Sequence, residues 1–330
     1  MKENNKSDTF LSVRDIVVEY SSGKDRIQAV NGVSFDLNRG ETIGLVGETG
    51  AGKTTIAKTI LGILPNPPAK FISGSVWLDG VNLTELSEDE MRKYRGGEIA
   101  MIFQDPMTAL NPLMTVGDQI IESLQLHDDK LHYKDAEEKA RQLLEMVGIP
   151  GERYCEYPHQ FSGGMKQRVV IAMALACGPA LLLADEPTTA LDVTIQAQVL
   201  DLIRDLRGKL NTSMVLITHD LGVVAQTCEN VAVIYAGEIV ERGSRRDIFK
   251  NPKHPYTIGL FNSLPNMVEN NARLTPIEGL PPDPADLPRG CKFHPRCKYA
   301  EEVCRTGEVP DFEVSPGHYC RCHLVKEGKL

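Results

Sequence analysis

GETGAGKT (Gly47 to Thr54) fits the pattern G-x-x-x-x-G-K-[ST], and it stands between an apolar run, Thr42 to Val46, and a plausible helix, Thr54 to Gly62. Strand, glycine loop and helix in that order form the context in which this pattern holds a polyphosphate. Gly47, Gly50 and Gly52 let successive backbone N–H groups turn toward the phosphates at a helix N-terminus, where unpaired amides and the helix dipole favour anions. Lys53 brings a compact charge for the outer phosphates, and Thr54 brings a hydroxyl for Mg²⁺.

A second apolar segment, Ala180 to Ala184, ends in Asp185 and Glu186. Ligands of parallel sheets sit at the carboxyl ends of the strands, so both carboxylates are expected at the rim that faces the phosphate loop. Asp185 reads as a partner of Mg²⁺, and Glu186 as the group that orients the attacking water or accepts its proton. Between Lys53 and Asp185 there is room for a helical insertion. FSGGMKQR (Phe161 to Arg168) opens its last helix, with Ser162 as a hydroxyl cap and Gly163 and Gly164 presenting bare amides. The chain thus carries a second phosphate-binding apparatus.

The ordered set GETGAGKT, IFQDP, FSGGMKQR, LLLADEP, ALD and ITHD resembles the ATP-binding subunit of ABC transporters. The resemblance implies a P-loop NTPase fold with a RecA-like core, an antiparallel β subdomain and a helical signature subdomain. It also implies that Ser162, Gly163 and Gly164 of one subunit close on the ATP held by the other. Gly47, Glu48, Thr49, Gly50, Ala51, Gly52, Lys53, Thr54 and Thr55 then form the phosphate cradle. Tyr20 stacks on adenine, and His219 holds the γ-phosphate. Gln104 lies between Mg²⁺ or water and the membrane partner, so that Thr54, Gln104 and Asp185 surround the cation. Asp192 lies in the loop that crosses the dimer. The fifth signature residue, Met165, departs from the widespread LSGGQ, and FSGGM looks like the form found in peptide-importer subunits.

Composition is ordinary for a globular chain of 330 residues, with 42% hydrophobic and 25% charged residues. A net charge of −9 argues against a nucleic-acid partner. No apolar stretch reaches 18 residues, and Met1 to Thr9 lacks the apolar run of a secretory signal, so docking at a membrane is expected to go through other subunits. Leu11 to Tyr20 and Ile27 to Leu37 alternate and read as antiparallel strands, with Gly74 to Leu78 as another strand. Helical patterns follow over Thr115 to Leu126 and Asp135 to Val147, the latter with Asp135 and Glu138 spaced as a capping box. Thr194 to Lys209, Met214 to Thr218, Leu221 to Cys228, Val231 to Tyr235 and Glu238 to Arg242 complete an αβαββ sequence. The expected domains are 1–250, the nucleotide-binding domain with its helical part at about 105–178, and 251–330, a small Cys-rich extension.

In that extension HPYT (His254 to Thr257) begins a short helix resembling the segment after the ATPase core of oligopeptide and dipeptide importers. Cys291, Cys297, Cys304, Cys320 and Cys322 cluster near its end. In reducing cytoplasm these read as thiolate metal ligands rather than disulfides. Their spacings are longer than the close pairs of zinc knuckles and suit a bulkier cluster, with Zn²⁺ as the alternative. GCKFHPRCKYAEEVC resembles the C-terminal motif of peptide-importer ATPases, which implies a [4Fe–4S] centre on Cys291, Cys297, Cys304 and Cys322, with Cys320 as the alternative fourth ligand.

The resulting expectation is an ATP-hydrolysing subunit for import of di- or oligopeptides, peripheral on the cytoplasmic face of the cell membrane. Its partners would be a second, homologous ATPase chain, two transmembrane permease subunits and, indirectly, an extracytoplasmic peptide-binding protein. The alternatives are import of nickel or another solute by the same machinery, or a non-transport ABC ATPase.

Overall fold

The computed structural model describes residues 9–23, 25–189, 191–263 and 276–329. The chain folds as two compact units, each assembled from separated stretches. One takes the described parts of Met1–Phe10, Leu37–Thr42 and Asn82–Thr218, and the other takes Leu11–Asp36, Ile43–Val81 and the described parts of His219–Leu330.

In the first unit, Ile99–Ile102, Leu181–Asp185 and Ser213–Thr218 form parallel ladders, with Ile99 opposite Leu181 and Leu181 opposite Ser213. Every residue of the three strands is buried. Continuous apolar runs are what a parallel strand covered on both faces requires. The strand Ile99–Ile102 was not anticipated, because four apolar residues carry no period that separates strand from helix.

Helices Val116–Gln125, Tyr133–Met146, Gly163–Leu175 and Val193–Leu210 complete this unit. Thr115 caps the first through the Asp118 amide at 3.1 Å. The expected capping box at Asp135 is corrected: the helix begins two residues earlier, its N-cap His132 makes no side-chain cap, and Asp135 lies in the first turn. There its charge meets the positive end of the helix dipole.

In the second unit, Thr9–Ser22 lies between Asp25–Asn38 and Ala69–Leu78 in an antiparallel sheet. Leu11, Val13, Ile16 and Val18 point into the core from the middle strand. Thr42–Val46 pairs in parallel with Asn230–Tyr235. Asn230–Tyr235 turns back into Glu238–Ser244 through Ala236 and Gly237, both at positive φ. Two successive left-handed residues give the hairpin the twist its strands need.

The described part of the extension adds strands of its own. His318–Cys320 pairs with Glu238–Ser244, and Phe312–Ser315 pairs in turn with His318–Cys320. A buried polar knot fastens this addition. Glu241 accepts from the Lys253 and His254 amides at 2.7 and 3.0 Å, and His318 Nε2 lies 2.8 Å from its carboxylate. A buried carboxylate is tolerated only when its lone pairs are filled in this way.

Candidate functional site

The strand Thr42–Val46 runs into the glycine loop and the helix Lys53–Ile60, as the motif demands. A Cβ on Gly47 would lie 2.2 Å from the Ile234 carbonyl oxygen. Gly52, at φ +98°, would bring one to 2.3 Å from the Ala29 carbonyl oxygen. Both positions exclude any side chain. Lys53 is buried, and its ammonium donates to the carbonyls of Gly47 and Glu48 at 2.8 and 2.9 Å, which curls the loop around its own lysine. Thr49 and Gly50 at the loop tip are exposed, and Ala51 is buried. Tyr20 lies two residues before the end of its strand, opposite Ala69, with its hydroxyl 3.4 Å from Thr55 Oγ1, beside Thr54. His219 is exposed, and Asp220 caps the helix Leu221–Thr227 by accepting from the Gly222 and Val223 amides.

Gln104, Asp185, Glu186, Asp192 and the signature residues belong to the other unit. Asp185 ends its strand in the core, 2% exposed. Glu186 follows at φ +46°, a left-handed conformation that costs a non-glycine residue energy and often marks functional positions. Its amide donates to the Ile217 carbonyl at 2.8 Å. Its carboxylate is gripped from two sides, by Gln104 Nε2 at 3.1 Å and by the Thr189 hydroxyl at 2.8 Å. Thr189 was missed by sequence reasoning; a hydroxyl three residues after the glutamate is a signal too common to single out.

Ser162 accepts from the Met165 amide and starts the helix Gly163–Leu175, leaving Ser162 and Gly163 exposed. A Cβ on Gly164 would approach Ile195 Cγ2 to 2.7 Å. Asp192 acts locally, accepting from the Ile195 amide at 3.0 Å and so capping the helix Val193–Leu210.

The cysteines divide cleanly. Cys291, Cys297, Cys304 and Cys322 line one narrow apolar cavity with His254, Phe293, His294 and His323, whereas Cys320 is buried nearby and does not line it. Burial pushes the Cys291 thiol up to about 12, with the neighbouring sulfurs adding to the shift, and it raises Cys297 and Cys322 as well. Among the described residues, no three His, Cys, Asp or Glu side chains converge on a point that would hold a single ion. Four cysteine side chains around one cavity are the donor type that thiolate-bound metal centres use.

A glycine loop closed on its lysine and a strand ending in Asp185 and Glu186, together with a capped SGG helix, are the parts of an ABC-type ATPase. Residues 30–189 match the ABC transporter family, and residues 240–304 match the oligopeptide/dipeptide transporter C-terminal region. The chain is 53% identical to the dipeptide transport ATP-binding protein DppD of Bacillus subtilis, over 95% of this chain and 94% of that one. It is 46% identical to the oligopeptide transport ATP-binding protein OppD of Escherichia coli, over 98% and 96%. The dimeric ATP-binding cassette MJ0796, solved with ADP and Pi, superposes with a TM-score of 0.65 and 28% identity, over 72% of this chain and 99% of that one. The chain belongs to the ATP-binding proteins of oligopeptide and dipeptide ABC transporters. Among its described residues, no helix is long and apolar enough to cross a membrane.

Proposed function

We propose that this chain hydrolyses ATP to drive the import of di- or oligopeptides through permease subunits, as one of two ATPase subunits that close head to tail. The grip on Glu186 carries the reading. A carboxylate held by Gln104 and Thr189 at the end of a buried strand has one orientation, and orientation is what a base acting on water needs.

In this assignment Gly47 to Thr55 cradle the phosphates, Lys53 leaves its carbonyl partners for the outer phosphates, and Tyr20 flanks the base. Thr54, Gln104 and Asp185 would hold Mg²⁺, which would supply charge neutralisation at the phosphates. Glu186 positions water for in-line attack, and His219 holds the γ-phosphate. Ser162, Gly163 and Gly164 serve the nucleotide of the opposite subunit, and Asp192 orders the crossing loop. Names of relatives such as DppD and OppD support peptide as the solute.

Residues 251–330 form the peptide-importer extension, and Cys291, Cys297, Cys304 and Cys322 are its [4Fe–4S] ligands. Four thiols around one apolar cavity support this donor set, and the place of Cys320 outside the cavity favours Cys322 as the fourth ligand. Such a centre would cross-link a segment with little core of its own.

The test is uptake of a labelled dipeptide and a labelled hexapeptide in cells lacking this gene and competing peptide importers, complemented with wild type or Glu186→Gln. Rescue by wild type alone is expected. Uptake that persists without the gene, or rescue by Glu186→Gln, would overturn the assignment, and defective nickel uptake in its place would move it to that solute.

A further inference from the structure

Glu48 is a carboxylate inside a loop built to receive a polyanion. Its charge opposes the incoming triphosphate unless something cancels it. The cancelling group comes from 248 positions away in the chain. Arg296 Nη1 donates to Glu48 Oε2 at 2.8 Å and Nη2 to Oε1 at 3.1 Å, a bidentate pair. The same guanidinium reaches the Tyr235 hydroxyl at 3.3 Å and the Glu278 carbonyl at 3.2 Å. The arginine side chain is 5% exposed, so this is an anchored contact rather than a surface pair.

Arg296 also sits between two of the cavity thiols. His294–Arg296 is a single 3-10 turn in which the His294 amide donates to the Cys291 carbonyl at 3.0 Å and the Cys297 amide donates to the His294 carbonyl at 3.3 Å. One peptide unit separates the guanidinium's residue from the thiol of Cys297. A second connection runs in parallel through the aromatic groups. Phe293, in the cavity wall, packs edge-on against Tyr235 at 5.2 Å and at a tilt against Tyr256 at 5.4 Å, and the Tyr256 hydroxyl accepts from the Glu48 amide at 3.1 Å. Both the carboxylate and the backbone of Glu48 are thus held by residues fixed to the thiol cavity.

We propose that Arg296 is a positioning residue for nucleotide binding, which neutralises Glu48 and couples the order of the thiol loop to the affinity of the phosphate loop. The inference rests on the nucleotide and thiol-ligand assignments above. When the four thiols are tied together, the turn holds Arg296 on Glu48; when they are released, the guanidinium loosens and the bare carboxylate opposes the phosphates.

The experiment is calorimetric binding of Mg²⁺ with a non-hydrolysable ATP analogue to the full chain, purified without oxygen, before and after iron chelation. Wild type, Glu48→Gln, Arg296→Ala and the double variant are compared. Arg296→Ala is expected to weaken binding about tenfold in the wild-type background and to be silent against Glu48→Gln. Chelation is expected to weaken wild type by a similar factor and to leave Glu48→Gln as it was. Equal affinities of Arg296→Ala and wild type would overturn the proposal, as would an equal loss on chelation in Glu48→Gln. Should Arg296→Ala fail to fold, the chelation comparison of wild type and Glu48→Gln still decides. The underlying assignments fail differently: a folded wild type that binds no analogue sinks the nucleotide reading, and one that binds it but purifies without metal sinks the thiol-ligand reading.

Discussion

Gln104 Nε2 donates to Glu186 Oε2 at 3.1 Å across 82 positions of sequence, while the Thr189 hydroxyl donates to the same oxygen at 2.8 Å. Both donors converge on one oxygen of the carboxylate. That asymmetry aims the group as well as holding it.

Replacing Thr189 by Val removes one of the two donors and keeps the volume. Turnover should fall about fivefold to tenfold, with nucleotide affinity within about twofold of wild type, because the threonine acts through Glu186. Glu186→Gln should lower turnover by at least about 100-fold. Steady-state ATPase assays paired with binding measurements check both, and rapid turnover of the Gln variant would refute the role of Glu186.

Lys53→Ala removes the cation that now bridges the Gly47 and Glu48 carbonyls. Nucleotide affinity should drop about 10- to 100-fold, consistent with the loss of a charge-assisted contact to phosphate. Gly47→Ala should lower thermal stability as well as affinity, because its Cβ meets the Ile234 backbone, which cannot rotate away. Equal melting temperatures for Gly47→Ala and wild type would contradict this steric account.

Substituting any one of Cys291, Cys297, Cys304 or Cys322 by Ala should reduce iron and labile sulfide, from about four of each per chain, while Cys320→Ala should leave both in place. Metal analysis after anaerobic purification decides. Stoichiometric zinc without sulfide would replace the iron–sulfur assignment with a zinc one.

Burial holds the His254 imidazole near pKa 4, well below its ordinary value of 6.5. Its Nδ1 accepts from the Tyr256 amide at 3.1 Å, a bond that a protonated ring cannot keep. The folded value lies below the unfolded one, so this contribution is complete above about pH 6.5 and is lost as pH falls toward 4. The total is up to about 3 kcal/mol. His254→Asn should flatten the fall in melting temperature between pH 6.5 and 4; an unchanged slope would rule out His254 as its source.

Elements with a long period or a motif were legible from sequence. The strand Leu181–Asp185, the helix Gly163–Leu175 with its Ser162 cap, and the glycine loop all lie within about a residue or two of where the pattern put them. Short apolar pieces such as Ile99–Ile102 were not legible, and neither was the strand pair Phe312–Ser315 and His318–Cys320, which exists because Glu238–Ser244 offers it an edge. A strand of three or four residues has no stability apart from its partner.

Sequence by itself determined the family of this chain, because a phosphate loop and a signature helix are built from residue types at local spacings that the backbone turns into geometry within a few residues. Only the tertiary structure decided which groups from distant segments share a hydrogen bond. Gln104 meets Glu186 across 82 positions, and Arg296 meets Glu48 across 248. Cys322 rather than Cys320 joins the cavity because the end of a strand and the turn after it aim neighbouring side chains at different surroundings. Such pairings depend on chain packing, and no local pattern records them.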